Sequence, residues 1–177
     1  MMGDMDGHLR ALVAAAREGD NVAVRELVRC TQPAIWRLCS VLGSPGEEDD
    51  LVQDTYLRAF RSLQSYRGEA PVTAWLLVIA RRVCADHVRS RVRERRLLGA
   101  VTQAADDRWV AAPGNPTFDL LEAIDPDRRE AFVLTQIAGL SYDEAALVLE
   151  CPVGTIRSRV ARARADLLAE VRAAEAS

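Results

Sequence analysis

Apolar residues recur every three or four positions along most of this chain, which is the spacing of one face of an α-helix. The pattern predicts a first helix that ends at about Arg17, before Gly19, and a second that begins at Asn21. We expect the first eight residues to fray and Asp6 to cap the first helix. Pro33 predicts a break or kink in the second helix.

A third helix is predicted to begin at a capping box, Ser44 with Glu47, with proline in its first position, and to end near Leu63. Its inward stripe consists of Val52, Tyr56, Ala59 and Leu63. Its opposite side carries Asp50, Gln53, Asp54, Leu57 and Arg61. A leucine among exposed carboxylates is either an ordinary surface residue or part of a docking face for a basic partner.

The next predicted helix begins at Thr73, after a loop at 64–71 that contains glycine and proline. Residues expected to face the core are Trp75, Leu76, Ile79, Ala80 and Val83. Residues expected to face outward are Val78, Arg81, Arg82 and Arg89. Residues 99–117 lack periodicity and contain two prolines and two glycines, which predicts a flexible linker between domains at 1–98 and 118–177.

The C-terminal domain is predicted to open with two helices, at 118–124 and 128–138, the second starting near Asp125. A helix-turn-helix follows. Ser141 and Glu144 form a capping box at the start of its first helix, whose inner side carries Ala145, Ala146 and Leu149. Pro152 ends that helix, leaving Glu150 and Cys151 as the turn.

The second helix of this motif has one apolar stripe, which comprises Ile156, Val160, Ala163 and Leu167. The outward side comprises Thr155, Ser158, Ala161 and Arg162, with Arg157, Arg159 and Arg164 on the flanks. Short side chains edged by guanidiniums suit a helix that enters the major groove of DNA. The alternative is a solvated arginine-rich helix in a bundle, but the capped first helix and the proline turn favour DNA binding.

Composition supports an all-α protein, because alanine and leucine are abundant and every basic residue of the 177 is arginine. A net charge of −3 would ordinarily argue against a nucleic-acid binder. The arginines, however, cluster between Arg81 and Arg96, and acidic residues cluster elsewhere. We therefore expect local patches that bind DNA weakly alone, with a larger partner supplying most of the affinity.

No long apolar run and no signal peptide are evident, so a cytoplasmic protein is expected. The four cysteines form no Cys-x-x-Cys pair and are expected to be reduced. Cys84 and His87 lie three apart and would supply half a zinc site, but no second pair accompanies them. No metal or cofactor is expected.

These segments resemble a known family. Residues 139–164, with Gly139-Leu-Ser-Tyr and then Cys151-Pro-Val-Gly-Thr-Ile-Arg-Ser-Arg, are similar to the promoter-reading C-terminal domain of extracytoplasmic-function (group 4) sigma factors. Residues 50–60 resemble the sigma helix that docks on the clamp helices of RNA polymerase.

The resemblance implies that Asp50, Gln53, Asp54 and Leu57 contact core RNA polymerase. It implies that residues 64–89 open the promoter at the minus-10 element and capture an unstacked base, and that the last helix reads the minus-35 element. Family members are often held inactive by an anti-sigma protein.

Two positions depart from the family pattern. Arg82 stands where asparagine is frequent, which affects base preference. Glu150 stands where glycine usually ends a helix, so it either adopts a left-handed conformation or the turn differs.

Two other functions compete with a sigma factor. A free-standing helix-turn-helix regulator would use the C-terminal domain alone, but it would need a sensor domain that the Ser44–Leu63 region does not offer. An enzyme would need Asp49, Asp50 and Asp54 to converge with a histidine or a second acidic cluster, and the sequence offers neither.

Overall fold

The computed structural model describes residues 2–44, 46–99, 120–121 and 123–175, and all regular structure within those ranges is helical. The N-terminal helices are α1 (Met2–Arg17), α2 (Asn21–Leu42), α3 (Glu48–Arg61) and α4 (Val72–Gly99), with a 3-10 turn at Leu63–Ser65. The C-terminal helices are α5 (Pro126–Phe132), continued by a π-helical turn at Val133–Ile137, then α6 (Tyr142–Val148) and α7 (Val153–Glu175). The all-α prediction is confirmed for the described residues.

The N-terminal helices enclose a core to which each contributes large apolar side chains, including Leu9, Val13, Leu27, Ile35, Leu38, Val52, Leu76 and Leu77. The predicted inward stripe of α3 is buried throughout. Tyr56, on that stripe, places its hydroxyl 2.8 Å from Thr31 Oγ1, and burial raises the pKa of Tyr56 to about 12. The hydrogen bond satisfies two polar groups that the core would otherwise penalise.

The start of α1 differs from the prediction. The helix begins at Met2, so the first residues of the described chain are helical and Asp6 is not its N-cap. The Asp6 carboxylate instead accepts hydrogen bonds from Arg10 Nε (2.6 Å) and from the backbone N–H of Val72 (2.8 Å), at the start of α4. Asp6 therefore caps a helix that is distant in sequence, a pairing that no local pattern reveals.

Of the predicted break or kink in α2, the break is wrong, because one continuous helix contains Pro33. The predicted capping box of α3 is also wrong: the helix begins at Glu48 with Glu47 as N-cap, and no side chain caps it. Gly46 has a φ of 84°, outside the helical range, so the chain before Glu47 cannot form the first turn. The helix ends at Arg61 rather than Leu63, and Pro45 lies outside the described residues.

The C-terminal helices form as the capping signals predict. The Asp125 side chain accepts hydrogen bonds from the backbone N–H groups of Asp127 and Arg128 at the start of α5. The predicted helix at 128–138 is α-helical only to Phe132 and then widens into the π-helical turn. Of the predicted 118–124 helix, Leu120 and Leu121 are helical, whereas Ala123 and Ile124 form a turn and a bend, so the helix does not extend to Ile124. Residues 118, 119 and 122, and all of the predicted linker after Gly99, lie outside the described residues.

The C-terminal helices pack against α2 and α4 rather than standing apart. α6 lies against α4, and the π-helical turn lies against α2. Arg37 of α2 donates a hydrogen bond to the carbonyl of Ile137 (3.2 Å). This packing determines which parts of α4 are accessible.

Candidate nucleic-acid and protein interfaces

The outer side of α3 combines one apolar side chain with acidic and amide groups. Asp50 and Gln53 are exposed, and the Leu57 side chain follows them one turn later with 48% of the residue's surface exposed. Asp54 lies between them, half-buried. We call these four residues the α3 surface; the predicted outward direction is confirmed for Asp50, Gln53 and Leu57, whereas Asp54 is half-buried.

Asp54 is also the first member of a charged network that crosses from α3 to α4. Arg58 bonds both Asp54 (2.9 Å) and Asp86 (2.7 Å), and Asp86 in turn accepts from Arg89 (2.6 Å). The hydrogen bond from Arg58, followed by that from Arg89, lowers the pKa of Asp86. The network fixes the positions of Asp54 and Arg89 relative to each other.

The outward side of α4 is partly covered by the C-terminal helices. Arg81 Nε lies 2.9 Å from Glu130 Oε2 on α5, and Arg82 lies 3.9 Å from Glu150 in the turn after α6. Val78 is half-buried, Arg81 is half-buried, and Arg82 and Arg89 are exposed. The prediction that all four residues face solvent is therefore wrong for Val78 and Arg81, because a second group of helices covers them.

A cavity of about 250 Å³ lies at this junction. Its N-terminal wall includes Tyr66, Trp75 and Val78, and Leu147 and Val148 of α6 close the opposite side. The rings of Tyr66 and Trp75 have centroids 4.9 Å apart at an interplanar angle of 41°. The sequence pattern predicted that Trp75 lies in the core and gave no role to Tyr66. The available signal was one aromatic residue, Tyr66, just before Gly68 and another, Trp75, just after the loop.

Cations of α1 hold the loop that forms this wall. Arg10 donates to the carbonyl of Gly68 (2.7 Å), and Arg17 donates to the carbonyls of Leu63 (3.0 Å) and Tyr66. These bonds give partners to the carbonyls of Gly68 and Tyr66, and they add a second donor to the Leu63 carbonyl, which also accepts from the backbone N–H of Tyr66 (3.3 Å). The cavity is therefore supported from α1.

The helix-turn-helix has the predicted local geometry. The backbone N–H of Glu144 donates to Ser141 Oγ (3.2 Å), and the Glu144 carboxylate accepts from the N–H of Ser141 (2.7 Å). Glu150 has a φ of 51°, so the left-handed alternative for this departure from the family pattern is the one adopted. Ile156, Val160 and Ala163 of the predicted stripe are fully buried against α5 and α6, and Leu167 is half-buried.

The opposite side of α7 is open. Arg157, Ser158, Ala161, Arg162 and Arg164 are exposed, and Thr155 is half-buried. We call these six residues the α7 surface.

Internal bonds distinguish the arginines of α7. Arg164 donates to Gln136 Oε1 (2.7 Å) in the π-helical turn, and Arg159 bonds Asp127 of α5. A side chain from another element therefore positions each of these two guanidiniums. Within the described residues, Arg157 and Arg162 have no ion-pair or hydrogen-bond partner. Two exposed guanidiniums beside short side chains can donate to base edges or phosphates.

The structure also bears on what the sequence predicts about a zinc site, the state of the cysteines and membrane spanning. Cys84 is buried with its Sγ 3.8 Å from Cys39 Sγ, and among the described residues Cys84 and His87 do not belong to a group of three ligand atoms within 4.8 Å of one another. Cys30, Cys39, Cys84 and Cys151 are all free thiols. Over the part of the chain that the structure describes, every helix is too short or too polar to span a bilayer.

Comparison with known proteins agrees with the helical fold and the helix-turn-helix described above. Residues 27–94 match the Sigma-70 region 2 family and residues 118–167 match Sigma-70, region 4. A probable RNA polymerase sigma-C factor of Mycobacterium bovis is 42% identical, over 93% of this chain and 92% of its own length. An ECF RNA polymerase sigma-E factor of Haemophilus influenzae is 30% identical, over 88% of this chain and 90% of its own length.

Two solved structures share the fold. CnrH, in complex with the cytosolic domain of CnrY, has a TM-score of 0.74 and 32% identity, and the match covers 94% of this chain and 98% of that one. The sigma factor RpoE of Bartonella quintana, in complex with the anti-sigma factor NepR, has a TM-score of 0.70 and 28% identity, covering 84% and 96%. This chain belongs to the extracytoplasmic-function sigma factors of RNA polymerase. It is an alternative sigma factor, and a free-standing regulator is not favoured.

Proposed function

We propose that this sigma factor binds core RNA polymerase through the α3 surface and directs initiation at promoters with two recognition elements, without catalysing a reaction itself. The observation that carries the proposal is Leu57, an exposed apolar side chain flanked by Asp50 and Asp54 on a helix whose other side is buried. An apolar anchor ringed by carboxylates suits a basic partner surface. Because its partner would be core polymerase, the proposed place of action is the cytoplasm.

Promoter recognition is divided between two surfaces in this proposal. Val78, Arg81, Arg82 and Arg89 of α4 would contact the minus-10 element, with an unstacked base entering the cavity beside Tyr66 and Trp75. The α7 surface would read the minus-35 element from the major groove. The corresponding domains are residues 1–98 and 118–177, joined by a linker at 99–117.

The packing of α5 and α6 on α4 adds a requirement to this proposal. Arg81 cannot bind Glu130 and a phosphate with the same guanidinium edge, and Leu147 and Val148 of α6 line the cavity that a base would enter. The two domains would therefore separate when the minus-10 surface binds DNA. Polymerase, which would bind the N-terminal domain through α3, is the natural agent to stabilise the separated form.

An anti-sigma protein is the third partner in the proposal. The two solved relatives are described in complexes with CnrY and NepR, and the second of these is named an anti-sigma factor. A comparable inhibitor of this chain would have to cover the α3 surface or hold the domains together. Co-purification of tagged protein from its native host, followed by mass spectrometry, would identify such an inhibitor.

Reconstituted transcription tests the central proposal. Core polymerase should initiate at specific sites only when the native chain is added, and both Leu57→Arg and Asp54→Arg should abolish this activity. Loss of one anchor in a desolvated interface costs about 2 kcal/mol or more, which weakens polymerase binding roughly 30-fold. Glu18→Arg is the matched control for Asp54→Arg, because Glu18 is exposed in the turn after α1 and the charge change is the same in both variants. Polymerase binding that survives both α3 changes would refute the assigned docking surface.

A further inference from the structure

Three side chains with metal-binding atoms meet between α1 and α2, away from every surface described above. His8 comes from α1, and Glu26 and Cys30 lie four residues apart on α2, so both side chains leave the same face of that helix. One imidazole nitrogen, one carboxylate oxygen and the sulfur all lie within 4.8 Å of one another. The antiparallel packing of the two helices brings them together, although 18 positions separate His8 from Glu26.

One distance between these atoms matches an edge of a tetrahedral site. Glu26 Oε1 lies 3.6 Å from Cys30 Sγ. A tetrahedral Zn²⁺ ion with ordinary Zn–S and Zn–O bond lengths separates sulfur and oxygen ligands by about 3.5 Å. Two ligands are thus already at the spacing of one edge of the tetrahedron. His8 is exposed, so its side chain is free to complete a third corner.

We propose that His8, Glu26 and Cys30 bind one ion of the Zn²⁺ class, with the fourth position open to water. A thiolate, an imidazole and a carboxylate together select Zn²⁺ and chemically similar ions over Mg²⁺ and Ca²⁺, which require oxygen ligands. Three protein ligands with an open position make a weaker site than the closed four-ligand sites of structural zinc domains.

Arg29 is the neighbour that competes for Glu26. Its Nε donates to Glu26 Oε2 (2.8 Å) and its Nη2 donates to Oε1 (2.5 Å), and this hydrogen bond lowers the pKa of Glu26 to about 2. The ion pair is solvent-exposed and therefore easily exchanged. An ion that takes Oε1 leaves Oε2 bonded to Arg29, which then orients the carboxylate as an outer partner.

Cys30 must lose its proton when the ion binds. Burial, followed by the hydrogen bond to Glu26, raises the pKa of this thiol, so the free site is neutral at sulfur. Binding of the divalent cation replaces that proton and releases it to solvent. Metal binding can therefore also be measured by the protons that it releases.

Metal binding at this place would stabilise α1 as well as the site itself. The same helix carries Asp6, Arg10 and Arg17, which hold the start of α4 and the loop beside the cavity. A bond from His8 to an ion held by α2 would oppose fraying of the N-terminal half of α1. Zn²⁺ should therefore raise the Tm of the native chain by the usual linkage of a ligand that binds only the folded state.

Cobalt titration of the reduced, metal-stripped full chain tests the proposal. Co²⁺ should bind at one equivalent with a sulfur-to-cobalt charge-transfer absorption in the near ultraviolet, and Zn²⁺ should displace it. Cys30→Ser should abolish the charge-transfer band, and His8→Ala and Glu26→Gln should each weaken binding by about 10-fold or more. The chain contains two histidines and four cysteines, so His87→Ala and Cys151→Ser are matched controls that should bind as the native protein does.

The outcomes separate the assigned ligands from other metal binding. A native chain that takes up no cobalt at equimolar concentration would overturn the proposal, as would binding that persists unchanged in Cys30→Ser. Loss of binding in His87→Ala would assign the metal to the other histidine and would also overturn it. The rise of Tm with Zn²⁺ must disappear in Cys30→Ser, and far-ultraviolet circular dichroism of each variant without metal must match the native chain for the comparison to count.

Discussion

Reversal of one charge between α4 and α5 should open the packing of the C-terminal helices on the N-terminal ones. The change is Glu130→Arg, opposite Arg81, whose Nε lies 2.9 Å from the Glu130 carboxylate. Both side chains are partly exposed, so the pair itself contributes only about 0.2–1 kcal/mol. Repulsion between two arginines adds a penalty of similar size. The closed arrangement should therefore lose about 0.4–2 kcal/mol, which shifts its equilibrium roughly 2- to 30-fold.

Two measurements report this shift. A packed chain of this length has a radius of gyration of about 16 Å, and small-angle scattering should show a larger value for Glu130→Arg. Affinity for a labelled single-stranded oligonucleotide should rise by up to the same factor, because a larger fraction of molecules has the minus-10 surface available. Asp143→Arg changes the net charge equally at an exposed position of α6 and controls for nonspecific attraction of DNA.

The reciprocal variant provides the decisive comparison. Arg81→Glu should open the packing as Glu130→Arg does, and the double variant with both changes should restore the native radius of gyration because the ion pair is re-formed in reverse. An unchanged radius in both single variants, together with an oligonucleotide affinity of Glu130→Arg no higher than that of Asp143→Arg, would refute the reasoning. It would show that contacts other than the Arg81–Glu130 pair hold the two groups of helices together.

Three further predictions concern single positions. Arg162→Ala should relax base preference at one or two base pairs of the minus-35 element, at about 1–3 kcal/mol each. Arg164→Ala should instead weaken binding to all sequences alike and lower the salt dependence by roughly one phosphate contact. Binding of the full chain with core polymerase to single-base promoter variants at two salt concentrations distinguishes the two effects. Glu150→Gly should raise the free energy of unfolding by about 0.5–1 kcal/mol, since glycine adopts the left-handed conformation without strain, and Glu150→Ala should not; urea denaturation measures both. Tyr56→Phe should cost about 1 kcal/mol through loss of the buried hydrogen bond to Thr31, and an unchanged urea midpoint would contradict that value.

Local signals predicted the parts of the fold that depend on neighbouring residues. The Ser141–Glu144 capping box forms as read from the sequence, and the stripe of α7 is buried where its periodicity indicated. The corresponding capping box of Ser44 and Glu47 does not form, although its residues fit the capping-box pattern equally well. There the left-handed Gly46 delays the helix, and Glu47 is drawn toward α4, where His87 and Arg91 contact its carboxylate. A capping pattern predicts a helix start only where residues distant in sequence do not bind the capping side chains.

Long-range contacts account for the remaining errors. Asp6 is a sound N-cap residue, but it caps α4 rather than α1 because the folded chain places the Val72 N–H beside it. The cavity was not predictable for the same reason: Leu147 and Tyr66 meet only when the two groups of helices are packed together. Helical periodicity assigns a residue to a face of its helix, but it does not reveal what that face will contact.

The outward side of α4, which carries Val78, Arg81, Arg82 and Arg89, illustrates why one face can serve two partners. Arg81 binds a carboxylate in the arrangement described here, and a guanidinium that binds a carboxylate also fits a phosphate, because both present paired anionic oxygens. Val78 likewise lies against apolar side chains of α6, and an apolar position beside aromatic rings also suits the face of an unstacked base. The acidic and apolar groups of α5 and α6 thus match chemically what the proposed minus-10 contact requires. The same sequence pattern therefore favours both the closed arrangement and DNA binding, and the balance between them is set by a few weak contacts such as Arg81–Glu130.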